Sequence, residues 1–293
     1  MTRILILGAR GMLGMQLAKL YPEAVCCDRD EVNVLDSVAL ESAIRGIDGL
    51  EAIVNCVAFN DVDGAEDRPD AAFELNAEYP GRLAILCRDV GVPLVHYSTN
   101  YVFDGQQGEY EESAVPSPLS VYGTSKHRGE QLVAANWERH YVIRTAVIFG
   151  PKGPSDLSKR SFVELMTDLA SKRDTIQAVS DEINSVTYAP DLALATLGLL
   201  DSGAPFGIYH VTNQGAASWY QMACRVFEFT DPKPAVIPVP GSTFPRKAMR
   251  PPKAVLLNTK TPPLRRWELA LEEFVTGMTG AVRGSDILKR DRT

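Results

Sequence analysis

The feature that most limits what this chain can fold into is a glycine-spaced turn placed directly after an apolar run. Residues 4–7 read ILIL, and Gly8-Ala9-Arg10-Gly11-Met12-Leu13-Gly14 follows, opening an apolar pattern of helical period. A strand that enters a helix through such a turn is the start of a βαβ unit. Gly8 allows the tight turn, Gly11 lets backbone approach a pyrophosphate, and Gly14 lets the helix pack closely on the strand. The helix N-terminus then offers open N–H groups to the anion. The spacing is GxxGxxG rather than GxGxxG, so the motif draws its weight from its place at the first strand-to-helix junction. Arg10, Met12 and Leu13 lie between the glycines and are read with them as cofactor-lining.

The rest of the first half repeats this alternation. Apolar runs at 24–27, 52–57, 93–97 and 141–145 alternate with helical patterns at 12–20, 38–44, 69–75, 80–90 and 122–135. Strands that are continuously apolar need cover on both faces, which indicates a parallel sheet. Right-handed crossovers then give an α/β fold with a doubly wound, Rossmann-type sheet. Beyond about residue 150, Pro and Gly become frequent and strands sparser. Helices are expected at 162–170, 190–200, 218–229 and 267–278, and strands at 207–211 and 235–239. The expected division is a dinucleotide-binding part over 1–150 and a smaller, less regular substrate-binding part over 151–283. Some segments of the second part should return to the sheet, and 284–293 should form a frayed polar tail.

Charge and cysteine usage narrow the partners. A net charge of −7 with no basic block argues against nucleic acid but leaves a small anionic substrate open. The five cysteines have neither CxxC nor metal-ligand spacing, which points to reduced thiols in the cytoplasm and to no metal site. No apolar run approaches the length of a membrane span or a secretion signal.

The second apolar run ends in Cys27-Asp28-Arg29. A carboxylate there can hold the ribose hydroxyls of NAD, whereas Arg29 and Arg10 can hold the 2′-phosphate of NADP, so NADH and NADPH both stay open. Further on, Tyr122-Gly123-Thr124-Ser125-Lys126 places a phenol and an ammonium on one helix face. The ammonium is expected to lower the phenol's pKa and to hold a nicotinamide ribose. The phenol then gives or takes a proton while hydride moves. The segment HYSTNYVFDG, 96–105, explains itself in that setting. Its strand delivers hydroxyls to the ligand crevice, where Thr99 hydrogen-bonds the reacting carbonyl, Tyr122 protonates it and Lys126 tunes the tyrosine.

These motifs resemble those of extended short-chain dehydrogenases/reductases, and more narrowly the dTDP-4-dehydrorhamnose reductase family. The resemblance runs through GARGMLG (8–14), NCVAFNDVDGAE (55–66), ELNAEYPGRLA (74–84), VHYSTNYVFDG (95–105), SVYGTSKHRGE (120–130), VIRTAVIFG (142–150), ASWYQMA (217–223) and FPRKAMRPPKAVLLNTK (244–260). It implies NAD(P)H-dependent reduction of the C4 ketone of a dTDP-linked 6-deoxy-4-keto sugar, giving dTDP-L-rhamnose. It implies that Thr99, Tyr122 and Lys126 are catalytic, with Tyr122 and Lys126 also touching the cofactor. Cys56, Val57 and Ala58 then line the cofactor and Asn33 and Val34 its adenine. Asn60, Asn100, Tyr101 and Val147 fall where the family contacts the sugar, and Arg250 near the nucleotide diphosphate.

The chain departs from the family pattern in its sugar pocket. Asn100 stands for a usual Asp, Val147 for a usual Trp, Ala254 for a common Ser, and 181–187 for DQ-x-G-x-PT. Gln16 stands where some members place a magnesium-binding Glu at a dimer contact, so no metal is carried over and a homodimer is left open. Two other readings resemble the same superfamily. One is a non-catalytic regulatory subunit like that of methionine adenosyltransferase, and the other a sugar-nucleotide epimerase or dehydratase. Among single residues, His96, His210, Cys87 and Trp267 are expected in the core. Trp219 and Tyr220 are open between packing and substrate contact, and Glu109, Glu111 and Glu112 are expected on a solvated loop.

Overall fold

The structure is a computed structural model and describes residues 3–290. Its strands in chain order are β1 (Ile4–Leu7), β2 (Val25–Cys27), β3 (Ala52–Asn55), β4 (Leu94–Thr99), β5 (Gly108–Tyr110), β6 (His140–Thr145), β7 (Ile148–Phe149), β8 (Thr175–Val179), β9 (Ile183–Ser185), β10 (Thr187–Tyr188), β11 (Gly207–His210), β12 (Ala216–Ser218), β13 (Ala235–Val239) and β14 (Lys253–Leu256). The principal sheet has six parallel strands in the order β11-β6-β4-β3-β1-β2. Its inner strands β1, β3, β4 and β6 are buried along their whole length. That matches the continuous apolar runs: a parallel sheet covered on both faces has no wet side to alternate with.

Helices α1 (Met12–Leu20), α2 (Ser37–Arg45), α3 (Val62–Asp67), α4 (Pro69–Phe73), α5 (Tyr79–Val90) and α6 (Val121–Asn136) belong to the first half. One core lies between the sheet and α1, around Ile4, Leu13 and Leu17; the other lies under α2 and α5, around Leu5, Leu40 and Leu83. Strand order reverses around β1: the chain runs to β2 at one edge and returns to β3 on the other side. Ligands of such sheets sit at this switch point, beyond the carboxyl ends of the strands. The glycine turn leaves β1 there, and Cys56-Val57-Ala58 leaves β3 beside it.

The smaller layer combines a four-stranded sheet, β12-β9-β14-β5, with the pairs β7-β10 and β8-β13. It is helical at α7 (Phe162–Ala170), α8 (Ala189–Ser202), α9 (Trp219–Phe227) and α10 (Trp267–Arg290). Its own core gathers Phe149, Val186, Met222, Trp267 and Phe274, with Trp219 packed at its edge against Phe162. The two parts exchange segments. β11 joins the principal sheet, and β5, from the first half, joins the smaller one.

Several expectations need correction. The strands β5, β9, β10, β12 and β14 have two to four residues, too few to show a period. α3 reads VDGAED and escapes notice because it buries only Ala65. The last helix takes in most of the expected polar tail and runs to Arg290, although Gly277, Gly280 and Gly284 weaken its helical signal. Residues 291–293 lie outside the described residues. Glu112 is buried, not solvated: its carboxylate accepts the N–H of His210 at 3.2 Å and of Thr259 at 3.1 Å. His96, His210, Cys87 and Trp267 are core residues, and all five cysteines are free thiols. No helix among the described residues is long and apolar enough to cross a membrane.

The glycine turn gives a direct prediction. A Cβ on Gly14 would stand 2.2 Å from the Gly8 carbonyl oxygen, a backbone atom with no room to yield. Gly14→Ala is therefore expected to push α1 off β1 and cost about 1–3 kcal/mol or more in a denaturant titration. Binding of a nicotinamide cofactor should be lost with it. An unchanged midpoint and affinity would show that the close approach has no consequence.

Candidate active site

The cofactor end of the crevice is built from backbone. Gly8 has φ 79°, a left-handed conformation that favours glycine, and a Cβ there would meet Val57 at 3.1 Å. α1 begins at Gly11 with no side-chain capping bond and no acid in its first turn. Its leading N–H groups are thus open to an anion. These are the properties of a pyrophosphate cradle, and the residues present fit a dinucleotide. Val57 is fixed by the Asn55 side chain, which accepts its N–H at 3.1 Å.

Asp28 sits at the end of β2 as the sequence requires. Its carboxylate accepts the N–H of Arg10 at 3.0 Å and of Arg29 at 2.9 Å. The Arg10 guanidinium turns away to Asp30, 2.7 Å distant, and to Glu31. A segment beyond β7 closes over this corner. The Ser155 N–H donates to the Arg10 carbonyl at 3.1 Å, and a Cβ on Gly153 would meet that oxygen at 2.2 Å. Asn33 is exposed, its side chain accepting the Leu35 N–H, while Val34 packs on the core under α2.

The three residues read as proton-handling lie at the end of β4 and in the first turns of α6. Thr99 ends the strand, and its hydroxyl oxygen accepts the Tyr101 N–H at 3.1 Å. α6 starts at a Ser120 cap, whose hydroxyl accepts the Gly123 N–H at 3.1 Å. Gly123 lets the helix approach Tyr101, whose carbonyl oxygen would stand 2.2 Å from an added Cβ. This contact sets Tyr122 against Thr99 and Tyr101. The rings of Tyr101 and Tyr122 meet edge-on with centroids 6.0 Å apart. Lys126 is buried, and its ammonium donates to the Tyr97 carbonyl at 2.6 Å.

Electrostatics differ from the simple expectation. Burial pushes the Tyr122 phenol up to about 12, although the Thr99 hydroxyl pulls it back by a hydrogen bond. Burial pulls the Lys126 ammonium down to about 8 against the attraction of Glu130. Desolvation thus outweighs any lowering of the phenol by the lysine, whose ammonium is committed to a backbone carbonyl. Tyr122 is a protonated donor at neutral pH.

On the substrate side, Tyr101 leads from Tyr122 to Arg250, which forms a two-pronged ion pair with Asp63 at 2.7 and 2.6 Å. That fork holds the Asp63 carboxyl well below the usual carboxylate range. A cavity of about 490 Å³ opens beside it, lined by Arg246, Lys247, Arg250 and Glu182 among others. Arg246 is paired with Glu182, and Lys247 with Asp67. Of these cations the sequence reading singled out only Arg250. Arg246 and Lys247 stand in the same FPRKAMRPP run, and that density of charge was the available signal.

Of the residues read as sugar contacts, Asn100 is engaged elsewhere and Val147 is held in a strained conformation. Asn100 is buried and gives both amide hydrogens to the smaller layer, to Asn184 Oδ1 at 2.7 Å and the Ala254 carbonyl at 3.0 Å. It ties the end of β4 to β9 and β14. Val147 has φ 41°, the only non-glycine residue among those described with a positive φ. A branched side chain in that conformation is strained, and strain of this kind gathers at ligand sites. Asn60 is exposed at the mouth of the segment that follows β3.

A parallel sheet with a glycine cradle at its switch point, and a Thr–Tyr–Lys set on the next strand and helix, defines a Rossmann-fold protein of the short-chain dehydrogenase/reductase kind. Within that class the chain belongs to the RmlD substrate binding domain family, whose model matches residues 1–279. It is 36% identical to a dTDP-4-dehydrorhamnose reductase of Streptomyces griseus, over 95% of this chain and 94% of that protein. It is 37% identical to a probable dTDP-4,6-dihydroxy-2-methyloxan-3-one 4-ketoreductase of Streptomyces antibioticus, over 92% and 94%. The crystal structure of dTDP-4-dehydrorhamnose reductase from Bacillus anthracis in complex with NADP superposes with a TM-score of 0.88 at 32% identity. That match covers 94% of this chain and 99% of the other.

Proposed function

We propose that this chain reduces the C4 ketone of a dTDP-linked 6-deoxy-4-keto sugar with NADPH or NADH, converting dTDP-4-dehydro-L-rhamnose to dTDP-L-rhamnose. The observation that carries the reading is the convergence of Thr99, Tyr122 and Lys126 at the switch-point crevice, in a chain of this family. A bound nicotinamide cofactor supplies hydride to the carbonyl carbon. The glycine loop 8–14 and Cys56-Val57-Ala58 hold that cofactor, with Asp28 or the arginines beside it at the adenosine ribose. Thr99 orients the ketone oxygen by a hydrogen bond. Tyr122 delivers its phenolic proton to that oxygen as negative charge develops there. Lys126 stabilises the resulting phenolate. The smaller layer, from about residue 151, holds the nucleotide sugar, with Tyr101 and Val147 at the sugar and Arg250 at the diphosphate. We place the reaction in the cytoplasm, where five free thiols stay reduced.

The test is oxidation of NADH and of NADPH by the purified protein, followed by loss of nicotinamide absorbance with dTDP-4-dehydro-L-rhamnose present. A second reading, another dTDP-linked 4-keto sugar, is favoured by the strained Val147 and by the Streptomyces antibioticus relative. A second assay arm therefore uses that relative's class of ketone. Faster turnover there replaces the substrate. Turnover of neither points to the regulatory reading if the protein binds a methionine adenosyltransferase, and to the epimerase or dehydratase reading if NAD stays tightly bound through purification. Arg250 gives a further prediction. Arg250→Lys keeps the charge and loses the fork, so KM for the nucleotide sugar should rise about tenfold with kcat nearly unchanged. An unchanged KM would remove Arg250 from the diphosphate.

A further inference from the structure

Glu130 and Arg144 are buried charges to which the reaction above gives no part. Glu130 lies one turn beyond Lys126 on α6, so carboxylate and ammonium share a helix face. Both residues are nearly inaccessible, 3% and 2% exposed. Arg144 of β6 grips the carboxylate with two hydrogen bonds, Nε to Oε1 at 2.8 Å and Nη2 to Oε2 at 2.7 Å. The Ser98 hydroxyl donates to Oε1 at 2.5 Å, and Ser98 is the residue before Thr99 on β4. His127 stands 3.4 Å from Oε2. Behind Arg144, His210 of β11 lies 3.4 Å from Nη1, with Glu112 at its backbone N–H.

One carboxylate is therefore tied both to the strand that carries Thr99 and to the helix that carries Tyr122 and Lys126. The need for it is electrostatic. A buried ammonium is costly without a counter-charge. Two other titratable groups stand near Lys126. His96 of β4 is kept neutral by burial and by the lysine itself. Tyr122, on the same helix, is a neutral phenol. Glu130 remains ionised despite burial, because Arg144, His127 and Ser98 hold it down to about 2.

We propose that Glu130, clamped by Arg144, is the positioning residue of this site: it supplies the counter-charge of Lys126 and fixes the Thr99 strand against α6. The catalytic half of this inference rests on the reading of Tyr122 and Lys126 as the proton-handling pair. The test follows the Lys126 amine directly, by heteronuclear NMR of lysine-labelled full-length protein, with its signal assigned by loss in Lys126→Met. Wild type should titrate near about 8. Glu130→Gln should lower that midpoint by about one pH unit or more. It should move the alkaline limb of kcat by the same amount, and Glu130→Asp should restore part of both. Glu130→Gln combined with Arg144→Met is neutral for neutral and guards against a single variant that does not fold; it should show a smaller downward shift. An unmoved Lys126 midpoint in the folded variants overturns the proposal even if turnover falls, since loose packing alone lowers rate without moving a titration. A moved midpoint in a protein that reduces neither ketone keeps the counter-charge assignment and overturns the reductase reading instead.

Discussion

Tyr122→Phe is expected to lower ketone reduction by about 10²–10⁴-fold, the range for loss of a positioned proton donor. Cofactor affinity should stay near that of wild type. The substitution removes one oxygen and leaves the ring to meet Tyr101 edge-on. Fold stability should therefore change little, and the loss should fall on kcat rather than KM. The pH profile carries a second signature. Burial holds the phenol protonated up to about 12, so no loss of donor occurs across the neutral range. Lys126 titrates near about 8, and its charge is present below that value and lost as pH rises through it. Wild-type reduction should therefore be flat below about pH 8 and fall above it. The residual rate of Tyr122→Phe should lack that fall, because no phenolate remains for the lysine to stabilise. Single-turnover kinetics with both proteins across pH measure this. A variant that keeps wild-type kcat would remove the phenol from the reaction.

The principal sheet was legible because its determinants are local and repeated. Strands β1 and β3 are almost wholly apolar, and β4 and β6 each hold a short apolar stretch beside polar residues. Each crossover helix shows a face: Leu13 and Leu17 on α1, Leu40 and Ile44 on α2. The glycine turn was legible because a close approach excludes every side chain at Gly14. The smaller layer was legible only in part. Its helices and β13 were, but β5, β9, β12 and β14 are too short to show a period. Strands β5 and β9 pair with β14 across long separations, as Asn100 reaches Ala254 and Glu112 reaches Thr259. Such contacts leave no mark in either partner's neighbourhood. Glu112 in particular read as one more acid in GEYEES, and only the fold brings His210 and Thr259 onto it. The residues read as reacting, Thr99, Tyr122 and Lys126, were picked out by motif, whereas their electrostatics depend on burial. A tyrosine and a lysine one turn apart predict a lowered phenol in water; desolvation reverses the sign in this interior.

The buried pair Glu130–Arg144 sets the second large effect. Arg144→Met keeps much of the side-chain volume and removes the cation, leaving a carboxylate buried without its main partner. Removing one member of such a pair typically costs about 3–5 kcal/mol. The pH dependence fixes the cause. In the wild type the folded carboxyl is depressed to about 2, below its unfolded value. Its stabilisation is thus full above the unfolded value near about 4.3 and is lost as pH falls from there through about 2, on the order of 3 kcal/mol in all. In Arg144→Met the balance inverts. Desolvation, already the largest influence on Glu130, is no longer offset by the guanidinium, so the folded carboxyl moves above its unfolded value. The penalty is then greatest at neutral pH and shrinks as pH falls through that raised value and the buried group takes up a proton. Denaturant midpoints between neutral and mildly acidic pH should therefore rise for Arg144→Met while those of wild type hold level. Glu130→Gln added to Arg144→Met removes the stranded charge and should recover much of the loss at neutral pH, because a neutral amide in place of a bare carboxylate has far less hydration to forfeit. If Arg144→Met loses stability equally at every pH, the arginine acts by packing against Phe103, whose ring lies 5.1 Å from its guanidinium carbon, and not by its charge.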